Sequence, residues 1–390
     1  IIYMSSVSLP HRTQRFYRLA ASSFFFIHGI VFSSWASRIP DVKSALSLSD
    51  AQLGGVLFLI PAGQLSAMML SGWLVNRFGS RKMLTIASVI YPLALVLLGF
   101  VTSKFQLMAA LFFFGITSNL SNISVNTQGV GVEKLYNRSI MASFHGMWSL
   151  AGVVGGLLGA WMAAHSISTQ EHFLMTFFVC LVILLSMYAS MLPRDRKIKV
   201  GDIRQKTFVK PSLYIALLGI MAFCSMSCEG TMYDWSSVYF MQVVHPADNL
   251  IRAGYIACMT AMTIGRFSAD FFATRFGSSQ VIKGSGVILF IGFVLSVVFP
   301  SFYTAVAGFF LVGLGFSSIV PLCYSLAGKT TRMPPSMAVA TVSTIGFFGF
   351  LFTPPLIGFI SQASNMRVAF FIMACAGLSV SFVAAKAKAR

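Results

Sequence analysis

Four ionisable side chains interrupt long apolar stretches in the second half of the chain. Asp234 follows Glu229 by five positions, and Asp270 follows Arg266 by four. An ionisable group at membrane depth costs roughly 2.5–3.5 kcal/mol on insertion scales, so its presence needs a reason. Burial disfavours the charged form of a carboxyl group, which lets the group exchange protons near neutral pH. We predict that Glu229 and Asp234 take part in proton coupling; the alternative is a structural hydrogen bond to another helix.

The basic member of this set has an acidic neighbour one helical turn away. Side chains four positions apart share a helix face, so Arg266 and Asp270 can form an ion pair. Their place near one end of an apolar block favours a latch that breaks and reforms as the protein changes conformation. A static structural pair is the alternative interpretation.

A stripe of polar residues follows one face of the fourth apolar block. Asn119, Asn122, Asn126, Gly129 and Glu133 are spaced by three or four positions, as on one side of an α-helix. We predict that Asn119, Asn122 and Asn126 line a cavity and offer amides to a polar substrate. The same residue types also form hydrogen bonds between membrane helices, so a purely structural stripe is the alternative.

Two histidines and several aromatic residues complete the candidates. His28 lies in the middle of the first apolar block and His145 in the fifth, and either can titrate near neutral pH. We predict proton coupling for His28 and substrate contact for His145; a structural hydrogen bond is the alternative. The other predicted substrate-binding residues are Gln64, Tyr233, Trp235 and Tyr324. Aromatic faces stack on sugars, but anchoring at the membrane interface also explains Trp and Tyr at span ends.

Long apolar blocks must position these side chains. Of the 390 residues, 56% are hydrophobic and only 10% are charged, against about 25% charged in soluble domains. Roughly 20 apolar residues span a bilayer, and lipid favours helices because it offers no partner to an open backbone. We predict an all-α integral membrane protein with twelve transmembrane helices. The formal net charge of +18 comes from basic residues in short links, which argues against nucleic-acid binding.

The chain repeats itself. The tetrapeptide Arg-Phe-Gly-Ser at 77–80 recurs at 275–278, an offset of 198 residues, and each copy ends the second span of its half. We therefore predict two pseudo-symmetric six-helix bundles, at 17–192 and 211–385. A basic link at 193–210 joins them, with short segments at 1–16 and 386–390 outside the bundles.

The distribution of basic residues predicts the orientation. Links on one side hold most Lys and Arg, and those on the other side hold few. The few are Arg38, Lys43, Lys104, Arg252 and Arg367. Because cytoplasmic links carry the excess of positive charge, both termini, the central link and the repeated tetrapeptides are predicted to be cytoplasmic.

The segment at 72–82 resembles the signature loop of the major facilitator superfamily. It keeps Gly72, Leu74, Arg77 and Gly79, whereas Asn76 stands where Asp is usual. A segment of the second half, at 265–277, resembles the corresponding signature pattern that the same superfamily carries in its C-terminal half. Its matching residues are Gly265, Arg266, Asp270, Arg275 and Gly277. Further stretches at 34–40, 126–133, 145–146, 229–235 and 354–358 resemble the narrower group of MosC/YbjJ-like transporters, which are distant relatives of the fucose permeases.

This resemblance implies the major facilitator fold and a gating role for Arg77, Asp270 and Arg275; Arg266 is predicted to join them as the partner of Asp270. It also implies a small polar solute, similar to a sugar or polyol, as the substrate. We expect secondary active transport by alternating access, coupled to protons, in the inner (plasma) membrane and by a monomer. We expect no enzymatic activity, no cofactor and no metal, because nucleotide-binding loops, nucleophile–base sets and metal-ligand spacings are missing from the sequence.

Two rival functions remain at this point. Proton-driven efflux of amphipathic compounds is compatible with the Met- and Phe-rich spans, although the polar stripe argues mildly against it. A membrane sensor or scaffold that transports nothing would be expected to carry a soluble signalling domain, and the longest interior link is the short one at 193–210.

Overall fold

A computed structural model describes residues 11–136, 140–193, 212–330 and 335–387, and the regular structure within them is helical. The α-helices, in chain order, are α1 (His11–Ala45), α2 (Asp50–Leu57), α3 (Leu59–Phe78), α4 (Ser80–Gly99), α5 (Lys104–Glu133), α6 (Met141–Ala164), α7 (Thr169–Met187), α8 (Leu213–Tyr239), α9 (Ala253–Phe276), α10 (Ser278–Val298), α11 (Phe302–Ser317), α12 (Ile319–Gly328), α13 (Pro335–Ala363) and α14 (Met366–Lys386). The predicted link at 193–210 lies almost entirely outside the described residues.

Within the described residues, eleven helical segments are long and apolar enough to cross a membrane. The 24-residue helix α9, which carries Arg266, is the twelfth long helix. Two of the membrane segments are each interrupted and so consist of two helices: α2 followed by α3, and α11 followed by α12. Pro61 and Pro321 follow the breaks by three residues, and each lacks the N–H that would bind the carbonyl four positions earlier. The predicted count of twelve spans is confirmed.

The two halves pack in the same way. α1 lies along α6 as α8 lies along α13, and α3 lies along α5 as α9 lies along α11. The repeated tetrapeptide also has the same conformation in both copies. Gly79 has φ 87° and ψ 148°, and Gly277 has φ 82° and ψ 142°. Because an L side chain rarely adopts this backbone geometry, glycine is required at both turns.

The halves meet mainly along three helix pairs: α1 with α8, α6 with α9, and α2 with α13. α2 and α13 touch through their backbones, since a Cβ on Gly54 would lie 2.5 Å from the carbonyl oxygen of Pro354. We call this end of the bundle, where α1 ends and α2 begins, the α1–α2 end. The opposite end, with the turns at Gly79 and Gly277, is the Gly79 end.

The outer surface of the bundle is apolar. Large side chains such as Met69, Phe105 and Phe178 are 87%, 79% and 58% exposed. Water would penalise so much exposed apolar surface, whereas lipid tails accept it. The protein is therefore a multi-pass membrane protein, and its polar chemistry lies inside the bundle.

Candidate functional site

An ion pair lies at the interface of the two halves. Nη2 of Arg266 in α9 is 3.1 Å from Oε1 of Glu229 in α8, and the same oxygen accepts a hydrogen bond from the Tyr233 hydroxyl. Nη1 of Arg266 reaches into the other half and donates to Oγ of Ser149 at 2.7 Å. The guanidinium also lies 5.6 Å from the centre of the Trp148 ring. We call these five residues the central cluster.

Aromatic rings from four helices pack together at the central cluster, and two of them, Tyr233 and Trp148, belong to it. Tyr233 packs against Phe32 of α1, Trp148 of α6 and Phe350 of α13, with ring centroids 5.4, 5.9 and 6.3 Å apart. Phe32 and Trp148 also contact each other, at 6.2 Å. Phe32 and Trp148 come from the first half, and Tyr233 and Phe350 from the second. We call these four residues the ring wall; any movement of one half against the other must rearrange it.

Both predicted histidines lie near the central cluster. His145 is exposed, one turn before Ser149 on α6, and its ring is close enough to Arg266 for their charges to interact. His28 lies next to His145 and binds Oγ of Ser121 in α5 through Nδ1, at 3.1 Å. His145 of α6 and the half-buried guanidinium of Arg266 in α9 therefore lie beside each other where the two halves meet. The structure therefore brings Glu229, Tyr233, His28, His145 and Arg266 together.

The α1–α2 end is closed by polar contacts that join the halves around Asp50 at the start of α2. Its carboxylate accepts hydrogen bonds from Gln242 at 2.9 Å and from Ser361, both in the second half. Nζ of Lys43 lies 3.0 Å away and balances the charge. The contact of Gly54 with α13 lies one turn further along α2. Asp50 is thus held by three partners from three different helical segments.

A second group of contacts at the same end surrounds Arg252, just before α9. Arg252 is 2% exposed, donates through Nε to the carbonyl oxygen of Ser37 at 2.7 Å, and forms an ion pair with Asp41. Nη1 of Arg38 lies 3.6 Å from the same carboxylate. Arg38 also donates to Nδ1 of His172 at 3.1 Å, which ties it to its own half.

The predicted gating residues lie at the Gly79 end. Arg77 and Arg275 are exposed, and each guanidinium lies over aromatic rings of its own half: Trp73 and Phe78 for Arg77, and Phe276 for Arg275. The side chain of Asp270 lies outside the described residues, and with it the predicted pair with Arg266. Within the described part of the chain, the ionic partner of Arg266 is Glu229.

The polar stripe of α5 is largely occupied by local contacts. Nδ2 of Asn126 donates to the side-chain oxygen of Asn122 at 2.6 Å. Oε1 of Glu133 accepts from the backbone N–H groups of Ile140 and Met141, at 2.8 and 3.2 Å, and so caps the start of α6. Oδ1 of Asn119 is buried and has no hydrogen-bond partner. Among the described contacts, none joins these residues to the central cluster.

The other predicted residues are distributed around the site. Tyr324 of α12 lies near Glu229 and donates to Oγ of Ser343 at 3.2 Å. Asp234 lies near Tyr255 of α9. Gln64 donates to Ser118 at 3.3 Å within the first half. Trp235 is fully buried in the hydrophobic core, so its indole is not available to a solute in this conformation.

Sequence reasoning missed several residues of the site. Trp148, Ser149, Phe32 and Phe350 are ordinary residues of apolar blocks, and no spacing rule distinguishes them from lipid-facing neighbours. Asp50 could have been identified from the sequence, since it is an acidic residue at a span end with Lys43 nearby. Among the described residues, no group of three or more His, Cys, Asp or Glu side chains could hold a metal ion.

Comparison with known proteins identifies the family. The model of the Major Facilitator Superfamily matches residues 21–336. An uncharacterised MFS-type transporter of Yersinia pestis is 33% identical over 368 residues, which are 94% of this chain and 93% of that protein. The membrane protein MosC of Rhizobium meliloti is 29% identical over 365 residues, covering 92% of this chain and 86% of that protein.

The fold comparison agrees. The crystal structure of a variant of the nucleoside transporter NupG matches with a TM-score of 0.75 at 13% identity, covering 96% of this chain and 100% of that one. The predicted resemblance, to the superfamily and to MosC-like proteins within it, is confirmed. The chain belongs to the major facilitator superfamily.

Proposed function

We propose that this secondary transporter moves a small polar solute by alternating access and couples the movement to protons through Glu229. The observation that carries the proposal is the Glu229–Arg266 ion pair, which lies where α8 and α9 face the first half. A carboxylate held by a guanidinium has two stable states, paired when ionised and released when protonated. That is the property that a coupling site requires.

The arrangement of contacts supports alternating access. At the α1–α2 end, Asp50 and Arg252 bind partners across the halves, and Gly54 packs against α13. At the Gly79 end, Arg77 and Arg275 are exposed, and their ring contacts stay within their own halves. Among the described residues, polar contacts between the halves are thus found at the α1–α2 end and not at the Gly79 end, which supports one of two alternating states, closed at the first end. The turns at Gly79 and Gly277 remain candidates for gating when this end closes.

The orientation is part of the proposal. The excess of Lys and Arg in the links at the Gly79 end favours a cytoplasmic position for that end and for both termini. The bacterial origin of the relatives favours the inner membrane. The state described here is then open to the cytoplasm. The monomer expected from the sequence stays a proposal, as does the sugar- or polyol-like substrate implied by the resemblance.

Purified protein in liposomes tests the coupling. A pH-sensitive dye inside the vesicles should report proton movement that depends on an added solute. Glu229→Gln keeps the size of the side chain but cannot ionise, so solute flux should continue without proton movement. The matched control is Asp248→Asn, which changes an exposed carboxylate outside the site. Unchanged proton movement in Glu229→Gln would exclude Glu229 as the coupling residue.

Efflux of amphipathic compounds is the second candidate, and the ring wall favours it. Four aromatic rings beside a charged pair can hold an apolar body as well as a polar group. Export coupled by antiport predicts proton movement opposite to that of the solute, whereas symport predicts the same direction. The dye assay separates the two by the sign of the pH change.

A further inference from the structure

We propose that the central cluster binds a small organic anion, a monocarboxylate with a planar or apolar body. Its carboxylate binds the guanidinium of Arg266, and the ring wall holds its body. This inference rests on the proposed transport function and names the substrate class for the same site. It is the alternative to the sugar- or polyol-like solute implied by the family resemblance, and the probes below distinguish the two.

The first argument is the hydrogen-bonding capacity of Arg266. A guanidinium has five N–H donors, and described residues use one on Glu229 and one on Ser149. The side chain of Arg266 is 20% exposed, against 10% for that of Glu229. The cation is therefore the more accessible member of the pair. Planar guanidinium donors match a carboxylate in two-point geometry.

The second argument is the charge around the pair. His145 borders Arg266 and His28 borders His145, so the described ionisable neighbours on the first half are histidines, which are basic or neutral. A cationic solute would have to displace Arg266 from Glu229 and leave the guanidinium beside itself, with two like charges in one pocket. An anion meets one like charge at this point, the carboxylate of Glu229, and protonation of that carboxylate removes the repulsion.

The third argument is the shape and polarity of the lining. A sugar or polyol needs several hydrogen-bond partners around its ring, and of the amides predicted for this task two bind each other while that of Asn119 is buried in α5. Asn126 binds Asn122 within α5, and no described contact links them to the cluster. Phe32, Trp148 and Phe350 instead offer ring surface. The combination of one cation with aromatic walls suits an apolar body that carries one carboxylate.

The proton step follows from charge balance. An entering carboxylate takes the place of Glu229 on Arg266, and a proton added to the Glu229 carboxylate removes the negative charge that is displaced. Of the residues that the structure describes, the ionisable groups that face Glu229 are Arg266 and Cys258 of α9, Tyr233 of its own helix and Tyr324 of α12. One monoanion and one proton move together, so transport carries no net charge.

Binding of benzoate to the purified protein tests the site, with thermal stabilisation as the readout. Benzoate is ionised at about pH 6 and about pH 8, and linkage predicts tighter binding at the lower pH because a proton is taken up. The matched probes benzamide, benzylamine and mannitol are a neutral amide, a cation and a polyol. We expect stabilisation by benzoate alone. Stabilisation by mannitol or benzylamine without benzoate, or by no probe, overturns the anion class.

Three variants locate the binding. Arg266→Gln should weaken benzoate binding about tenfold or more, and Arg266→Lys by a smaller factor, because a point charge cannot make the two-point contact. The control Arg15→Gln changes an exposed arginine at the start of α1 and should bind as the wild type does. Equal binding by Arg266→Gln overturns the proposal. If Arg266→Gln does not fold, Trp148→Ala provides the same comparison, since it removes one face of the ring wall.

The variant Glu229→Gln tests whether Glu229 or a neighbouring histidine takes up the proton when benzoate binds. It should bind benzoate with no dependence on pH; a pH dependence that persists would assign the proton to His145 or His28 and overturn the role of Glu229.

Flux of radiolabelled benzoate in liposomes separates this inference from the transport function. Binding without flux refutes transport and leaves the anion site standing. Flux of a neutral probe without benzoate refutes the anion site and leaves transport standing. A potassium diffusion potential should not change benzoate accumulation.

Discussion

Gly54 of α2 and Gly358 of α13 pack backbone against backbone, and a Cβ on Gly358 would lie 3.0 Å from Cα of Gly54 and 2.4 Å from the carbonyl oxygen of Asp50. The two residues belong to different halves of the protein. Small residues allow membrane helices to approach this closely, so the pair sets how tightly the α1–α2 end can close.

The substitution Gly54→Leu should prevent this closure. The added side chain would meet the backbone of Pro354 at 2.5 Å, and a backbone cannot move aside as a flexible side chain can. The measurement is cross-linking between Ser44→Cys and Met241→Cys, whose native side chains lie 3.9 Å apart across the halves. We expect about a tenfold loss of cross-linking, equivalent to about 1.4 kcal/mol.

Gly55 offers the matched control for this experiment. A Cβ there would meet nothing within 4 Å, so Gly55→Leu adds the same side chain on the same helix without a clash. Its cross-linking should equal that of the wild type. Equal cross-linking in Gly54→Leu would show that the packing of α2 on α13 does not limit closure.

Neutralising Asp50 should weaken the closed end by another route. Asp50→Asn keeps the shape but loses the ionic contact with Lys43 and the strong acceptor for Gln242 and Ser361. Hydrogen bonds to a charged group contribute about 1.5–3 kcal/mol. The same Ser44→Cys and Met241→Cys pair should therefore cross-link less. Asp248→Asn, at an exposed position, should have no effect, and an equal loss there would point to a non-specific charge effect.

Arg252 and Asp41 should show energetic coupling across the halves. The variants Arg252→Gln, Asp41→Asn and their combination form a double-mutant cycle, read from the apparent Tm of the detergent-solubilised protein. Because the two side chains form an ion pair, we expect an interaction energy of about 0.5–3 kcal/mol. Additive effects would mean that the hydrogen bond from Arg252 to the Ser37 carbonyl carries the whole contribution of this arginine.

Glu133 should matter for stability and not for coupling. Its carboxylate caps the first N–H groups of α6, and loss of such a cap costs about 0.5–2 kcal/mol. Glu133→Ala should lower the apparent Tm, while Glu133→Gln, which keeps an acceptor oxygen, should lower it less. Solute-dependent proton movement should persist in both variants. Loss of coupling in Glu133→Gln would contradict a purely structural role and would show that Glu133 takes part in transport, together with the polar stripe of α5.

The sequence alone determined the membrane setting and the repeat. Apolar blocks of bilayer length can fold only as helices in lipid, and the two tetrapeptides at 77–80 and 275–278 predicted the symmetry that the matching turns at Gly79 and Gly277 confirm. Charge at membrane depth also identified Glu229 and Arg266 as candidates for a specific role, because an ionisable side chain inside the bilayer is costly unless it has a partner or a function.

Only the tertiary structure decided which of these residues meet. Arg266 and Asp270 are four positions apart on one helix, and their pairing stays a prediction because the side chain of Asp270 lies outside the described residues. The partner that the structure gives Arg266 is Glu229, 37 residues away in the chain, because α8 packs beside α9. The ring wall and the contacts of Asp50 depend likewise on helices from both halves. Sequence spacing specifies one helix face at a time, and contacts between helices depend on packing.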